Sequence, residues 1–330
     1  MKTLIKRLLV LTILAALAGA GGLAWYGNQP LSFESLPKTL NVTPGTHLKS
    51  LSAMLEREGV IGNAHVFWLL GRVFGKPGTL KVGVYTLDKP LTPLELYAKI
   101  QRGEITLAMV QFIEGWNWRE VRAALAAQPL LKNDSASMSD AELLQAIGAE
   151  ENHLEGLLFP DTYFFAPNSS DLSVLRRAYR LQHDKVMAAW ETRAAGLPYR
   201  TPYEALIMAS IVEKETGAAF ERPQIAGVFL NRLRLGMRLQ TDPTVIYGLG
   251  ERFDGNLRKI DLQTDTPYNT YTRGGLPPTP IAMPSEAAIQ AALNPARTDA
   301  LYFVSRGDGT HVFSSNLDAH NRAVNRHQRR

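Results

Sequence analysis

The first 33 residues constrain this chain more than any other segment. No charged residue falls between Leu8 and Phe33. As a helix rising about 1.5 Å per residue, Leu8–Tyr26 (LLVLTILAALAGAGGLAWY) is long enough to cross a hydrocarbon layer of about 30 Å. Lys2, Lys6 and Arg7 precede the run, and Trp25 and Tyr26 close it. The positive-inside rule then predicts a cytoplasmic N-terminus, with the chain beyond about residue 30 on the far side. Ala18-Gly19-Ala20 resembles a signal-peptidase site, so a cleaved signal is the competing reading. The apolar run continues past that site into aromatics, which favours a retained anchor. Either reading exports the body, and no second stretch approaches spanning length.

An exported body has no nucleotide supply, so envelope polymers, lipids or peptides are the expected substrates. The formal net charge of +5 suggests nucleic acid only until its position is read. Lys2, Lys6, Arg7, Arg322, Arg326, Arg329 and Arg330 crowd the two ends, and over residues 8–321 the remaining 29 basic residues face 31 acidic ones. The body is not basic, and no nucleic-acid partner is expected. A length of 330 residues predicts two or three folded units. A composition 45% hydrophobic and 20% charged excludes disorder and a polytopic membrane protein. With no Cys, disulfides, thiolate metal sites and cysteine nucleophiles are absent.

Hydrophobic spacing and turn residues predict a cytoplasmic tail (1–7), an anchor (8–27), a linker (28–39), a first exported domain (40–131), a linker region (132–153) and a second domain (154–330). In the first domain a short strand at Leu40–Val42 leads through Thr43-Pro44-Gly45-Thr46 into a helix bearing Leu48, Leu51, Met54 and Leu55. A second helix is expected over 64–74 and a strand over 81–87. Thr92 caps a third helix, with Pro93 at its first position and Glu95 completing a capping box. The start VTPGTHL (42–48) resembles LysM glycan-binding modules, and VQFIEGWNWREVRAAL repeats the strand–turn–helix order from Val110. In the second domain Ser170 caps a helix whose stripe is Leu172, Leu175, Tyr179, Val186 and Trp190. Helices follow over 203–215 and 219–235, Gly/Pro-rich loops from Gly236 to Ser285, a helix over 285–293, and a hairpin turning at Arg306-Gly307-Asp308-Gly309.

The seven His show no H-E-x-x-H, so no zinc site is expected. No G-x-S-x-G is present, and the S-x-x-K at Ser35–Lys38 holds Pro37 within a linker, so a serine hydrolase is excluded. The densest chemical stretch is ASIVEKETG (209–217). On a helix Glu213 and Glu215 stand about 200° apart, so only one can face a cleft. Glu215 lies over Met208, Ile211 and Val212 and in the last turn before Gly217. Apolar neighbours and the negative helix end both raise a carboxyl pKa, as a general acid at neutral pH requires. A solvated helix end is the alternative. Downstream, Arg238–Thr244, Tyr268–Tyr271 and Gly274–Pro278 offer the amides and aromatic faces that suit sugars or peptides, or else close on themselves as turns.

Five stretches together, EGLLFPDTY (155–163), ASIVEKET (209–216), FLNRLRLGMRLQTDPTVIYGLG (229–250), YNTYTRGGLPPTPIAMPS (268–285) and VFSSNLDAHN (312–321), resemble the MltG, or YceG-like, family of endolytic murein transglycosylases. The resemblance implies an α+β fold: an N-terminal transmembrane helix, a LysM-like α+β domain and a mostly helical α+β catalytic domain with long loops. It further implies a single-pass inner-membrane enzyme, catalytic domain periplasmic, that cuts nascent peptidoglycan strands internally and ends their elongation. The second Glu of its E-K-E motif is Glu215 here, the catalytic residue. Glu155, Asp161, Gln240, Asp242, Tyr268, Asn269, Tyr271, His320 and Asn321 are the expected substrate-binding residues, with no metal and no cofactor. Glycan strands, the inner membrane and peptidoglycan synthases are the implied partners. Two alternatives stay open: a hydrolytic muramidase, if Asp161 or Asp242 reaches the opposite face of the sugar, and a non-catalytic glycan-binding scaffold, which would tolerate Glu215→Gln. The tail RHQRR is unexplained by the motif.

Overall fold

The computed structural model describes residues 2–33, 35–43, 45–75 and 80–328. Pro44 of the expected turn and Arg329 and Arg330 of the basic tail lie outside the described residues. The chain divides into two compact units, Met1–Ala108 and Met109–Arg330.

In the first unit α1 (Lys2–Gly27) is one continuous helix, and over Ile5–Gly27 it is long and apolar enough to cross a membrane, a property that anchors and signal sequences share. Leu8, Leu11, Leu14 and Leu17 are each more than half exposed along it. Such a surface is stable only in an apolar surrounding. Next come β1 (Lys38–Val42), α2 (Leu48–Arg57), α3 (Ala64–Val73) and β2 (Gly83–Leu87). β1 and β2 pair antiparallel with Leu40 opposite Tyr85, and the two helices close over them on a core of Leu40, Leu51, Leu55, Phe67, Tyr85 and Leu87. α4 (Pro93–Arg102) follows. Thr92 caps it, the Glu95 carboxylate accepts from the Thr92 N–H at 2.8 Å, and Gly103 ends it at φ 72°.

β3 (Ala108–Gln111) leads into the second unit, followed by α5 (Trp118–Ala126), β4 (Leu131–Lys132), α6 (Asp140–Ile147), β5 (Thr162–Phe165) and β6 (Ser169–Ser170). β3 pairs with β5, and β4 runs parallel to β6. The division therefore falls at 108/109 and not in the 132–153 segment where a linker was expected. The cause is non-local pairing. Phe112 N–H donates to Asp161 O at 2.9 Å, its ring lies 5.1 Å from that of Tyr163, and Gly115 N–H and Trp116 O both bond Met283.

The helical body comprises α7 (Asp171–Glu191), α8 (Pro202–Glu215), α9 (Arg222–Arg234), α10 (Asp242–Leu249), α11 (Lys259–Gln263) and α12 (Glu286–Leu293). Ser170 caps α7, whose buried face is centred on Val174, Leu175 and Ala178, with Leu172 and Trp190 at its margins. α8 is the central element: every residue from Ala205 to Val212 is buried, against α9 and α12. Its Ala and Ser positions let neighbouring helices approach closely. α10 and α11 occupy part of the region expected to be loop. Asp242-Pro243 starts α10 with the two residue types that suit a first turn, and Val245 is buried behind them. The hairpin β7 (Tyr302–Ser305) and β8 (His311–Ser314) and the helix α13 (Leu317–His327), capped by Asn316, complete the unit.

Candidate active site

The site is built on the C-terminal turn of α8, which is bolted on one side and open on the other. Glu213 is the bolt. Its carboxylate accepts from Arg222 Nη2 at 3.1 Å, from Ser285 N–H at 2.9 Å and from the Ser285 hydroxyl. One turn earlier, Ser210 Oγ accepts from Ile281 N–H at 2.9 Å. Two residues past Glu213, the Glu215 carboxyl turns the other way, and the chain leaves the helix at Thr216. Thr241 Oγ1 donates to Glu215 Oε1 at 2.5 Å. Thr241 is itself fixed among buried threonines: its N–H donates to Thr270 Oγ1 at 3.1 Å, and its carbonyl accepts from Thr244 Oγ1 at 2.8 Å.

Glu215 opens on a cleft of about 490 Å³ that it shares with Arg232, Gln240, Asp242, Tyr271, Tyr302, His311 and His320. Arg232 is held by the carbonyls of Leu301 and Leu239, each at 2.7 Å, with its guanidinium 5.2 Å from the Tyr302 ring centre. His311 Nδ1 lies 2.7 Å from Glu221 Oε2, and His311 N–H donates to Glu221 Oε1 at 3.0 Å, so Glu221 fixes the imidazole in plane and in tautomer. Tyr271 OH donates to Asp242 Oδ1 at 2.6 Å, and His320 stacks on Tyr302 at 5.1 Å.

Burial pushes the Glu215 carboxyl up to about 7, and the charge of Asp242 adds to the rise, while the Thr241 bond and the charges of His311 and Arg232 oppose it. Burial also lowers Arg232 and, with the Arg232 charge, His320. The Tyr271 hydroxyl is raised by burial and then by its bond to Asp242. A buried carboxyl poised near neutrality can donate a proton and take one back.

A second, larger cleft of about 950 Å³ lies beside the first. Glu155 is in it, 7% exposed, accepting from Trp118 N–H at 3.1 Å on both oxygens and from Tyr247 OH at 3.0 Å on Oε2. Burial pushes this carboxyl also to about 7, against the opposing pull of the Trp118 and Tyr247 bonds. Gly156, at φ 78°, lets the backbone turn directly after it, where an added Cβ would stand 2.4 Å from Pro280 Cβ. Tyr247 meets Tyr268 edge to face at 4.8 Å, and Tyr268 OH is 2.9 Å from Thr279 Oγ1.

Of the residues expected from sequence, Gln240, Asp242, Tyr271 and His320 join Glu215, and Glu155 and Tyr268 sit in the second cleft. Asp161, Asn269 and Asn321 line neither. Asp161 is exposed and accepts from Thr162 N–H at 2.7 Å, and Asn321 is exposed on α13. Asn269 is fully buried and bonds backbone groups only, which corrects its assignment as a substrate contact. Arg232, Thr241, Tyr247, Trp118 and the Glu221–His311 pair were not singled out from sequence. Arg232 carries a signal in retrospect, as a charge among the buried Val228, Phe229 and Leu230 of α9. Glu221 and His311 lie 90 residues apart, and nothing local joins them.

Fold and site together define an α+β enzyme suited to acid–base chemistry, with protonatable carboxyls at Glu155 and, in the open cleft, at Glu215. The open cleft around that carboxyl and the bolted helix behind it are the features that set the class. The chain belongs to the YceG-like family, whose sequence profile matches residues 40–326. It is similar to the endolytic murein transglycosylase of Bacillus subtilis (strain 168), 31% identical over 324 residues covering 92% of this chain and 89% of that protein. A protein of the same name from Streptococcus pneumoniae (strain D39) is 28% identical over 365 residues, and the match covers 96% of this chain and 64% of that longer protein. Among solved structures, that of a YceG-like protein from Listeria monocytogenes superposes with a TM-score of 0.54 at 30% identity, covering 86% of this chain and 98% of that one.

Proposed function

We propose that this chain is an endolytic murein transglycosylase, cleaving the MurNAc–GlcNAc bond of nascent strands with Glu215 as acid and then base. The observation that carries the reading is the Glu215 carboxyl, raised to about 7 by burial and facing an aromatic and amide-lined cleft. Protonated Glu215 gives its proton to the glycosidic oxygen as the C1–O bond breaks. The substrate's N-acetyl carbonyl stabilises the oxocarbenium-like centre. The Glu215 carboxylate then takes the proton of the muramic C6 hydroxyl, whose oxygen closes on C1 to give a 1,6-anhydro end. Glu215 finishes protonated and no water is consumed, so the reaction is a lyase step. Thr241 aims the carboxyl, Arg232 and the Glu221-held His311 stabilise its charged form between the two transfers, and Gln240, Asp242, Tyr271 and His320 position the sugar.

In this reading α1 anchors the protein in the inner membrane with its N-terminus in the cytoplasm. The first exported unit, with its strand–helix–helix–strand order, is a LysM-like glycan-binding domain. The second unit carries catalysis, and the synthases that extend the strands are its neighbours. Mass spectrometry of uncrosslinked strands incubated with the detergent-solubilised full chain tests the reaction. Anhydro-muramyl ends are expected. Reducing muramyl ends would make it a hydrolase, and intact strands would leave a scaffold.

The pH dependence follows from the same carboxyl. Only protonated Glu215 can act on free substrate, and its raised pKa keeps it protonated up to about neutrality. We expect kcat/KM to fall as pH rises through about 7, with one proton lost. A fall centred near pH 4.5, where a solvated Glu titrates, would refute this assignment.

A further inference from the structure

The geometry points to a flanking site for the glycan strand in the Glu155 cleft: an N-acetylhexosamine unit beyond the scissile bond stacks on its aromatic wall and hydrogen-bonds the Glu155 carboxyl. This deepens the transglycosylase reading above and rests on it.

Three observations carry it. The first is adjacency. Lys214 lines the Glu155 cleft while Glu215 lines the other, and Pro243 and Asp242 divide in the same way. The two clefts therefore flank the end of α8 and the start of α10, which sets the Glu155 cleft one residue from the Glu215 cleft along both helices. The second is wall chemistry. Trp118, Tyr247, Phe253 and Tyr268 are only half-buried and line a single cavity with the buried Glu155 carboxyl, the exposed Glu251 at its edge being paired with Arg119. Aromatic faces beside a hydrogen-bonding group suit a pyranose, which has an apolar face and a polar rim. The third is the cost of Glu155 itself. A carboxyl this buried is expensive unless hydrogen-bonded, and the Trp118 and Gly156 N–H groups with the Tyr247 OH satisfy part of its capacity. Its remaining lone pairs, and its own O–H when protonated, are available to sugar hydroxyls and amides. The catalytic scheme makes no use of it. An enzyme that cuts within a strand needs purchase beyond the bond it breaks, and this cleft supplies it.

The test compares strands of defined length, two against eight disaccharides, with peptide stems intact or removed by an amidase. The enzymes are the full-length wild type, Trp118→Ala and Tyr247→Phe, each checked for an unchanged melting transition. Wild type is expected to prefer the longer strand with or without stems. Loss of the Trp118 face is expected to cut the long-over-short ratio of kcat/KM about tenfold, with anhydro ends still the product. Tyr247→Phe, which keeps the ring and removes one hydroxyl, is expected to lower it less. A ratio unchanged in both variants overturns the proposal. So does a wild-type length preference that vanishes when the stems are removed, because the cleft would then hold peptide. Absence of anhydro ends from wild type on every substrate would instead overturn the transglycosylase reading itself.

Discussion

Glu215→Gln should lower the rate of anhydro-end formation by about 10²–10⁴-fold, the usual worth of a positioned general acid and base. The amide is nearly isosteric and its oxygen can still accept from Thr241 Oγ1, so the cleft keeps its shape. What disappears is the proton that the proposed mechanism needs first at the glycosidic oxygen and recovers from the C6 hydroxyl. The same substitution should stabilise the protein at alkaline pH. Because burial raises the folded-state pKa to about 7, the folded chain holds this proton more tightly than the unfolded chain does. Folding free energy is therefore lost as pH climbs from about 4.5 to about 7, by up to about 3 kcal/mol for this one group, and a Gln escapes that loss. Single-turnover rates and thermal melts at pH 5 and pH 8 measure both effects. Wild-type turnover in the variant would remove Glu215 from the chemistry. A lower melting point than wild type at pH 8 would show that the carboxyl is structural.

Asn269→Ala should produce the largest loss of stability among the residues discussed. Asn269 Nδ2 donates to the carbonyls of Asp261, Leu262 and Thr264 at 3.2, 3.1 and 2.7 Å, and Oδ1 accepts from Tyr271 N–H at 2.8 Å. One side chain thus ties the end of α11 to the turn that carries Thr270 and Tyr271. Alanine leaves these backbone groups short of partners in the interior. At a cost of about 1–3 kcal/mol per unmade bond, partly relieved by relaxation, the net loss is about 3 kcal/mol. For a unit of this size that lowers the melting point by about 6–12 °C. Calorimetry reads this directly. An unchanged melting point with a raised KM would return Asn269 to the substrate.

The local grammar of this fold is plain in its sequence, because capping and periodicity act within a few residues. Thr92 with Glu95, Ser170 before α7 and the Gly-Asp-Gly hairpin turn are of this kind. The separation of Glu213 from Glu215 is equally local, since helical geometry alone turns them apart. What cannot be read is pairing at a distance. The segment from Val110 to Ala126 looks like a second copy of the first domain's opening, yet its partners are Asp161, Tyr163 and Met283. Asn269 shows the same limit in a side chain. A polar residue in a Tyr/Asn/Thr loop reads as a ligand contact, and only the carbonyls converging on it reveal that its hydrogen bonds are already spent. The division of the expected binding residues between two clefts depends on where α10 begins, and that start lay hidden in a stretch whose Gly and Pro content suggested loop.

The bolt at Glu213 has a consequence for anyone mapping this enzyme by mutation. Glu213 is held by Arg222 and Ser285, and the acid it steadies is two residues further on the same helical turn. Loss-of-function screens score damage without its cause, so this anchoring residue and the proposed proton donor, Glu215, would be ranked together as equally essential. Arg222 and Ser285 would join them, though neither lines either cleft. The essential positions would then trace a buttress running from α9 through α8 to α12, and its shape would describe how one carboxyl is kept still.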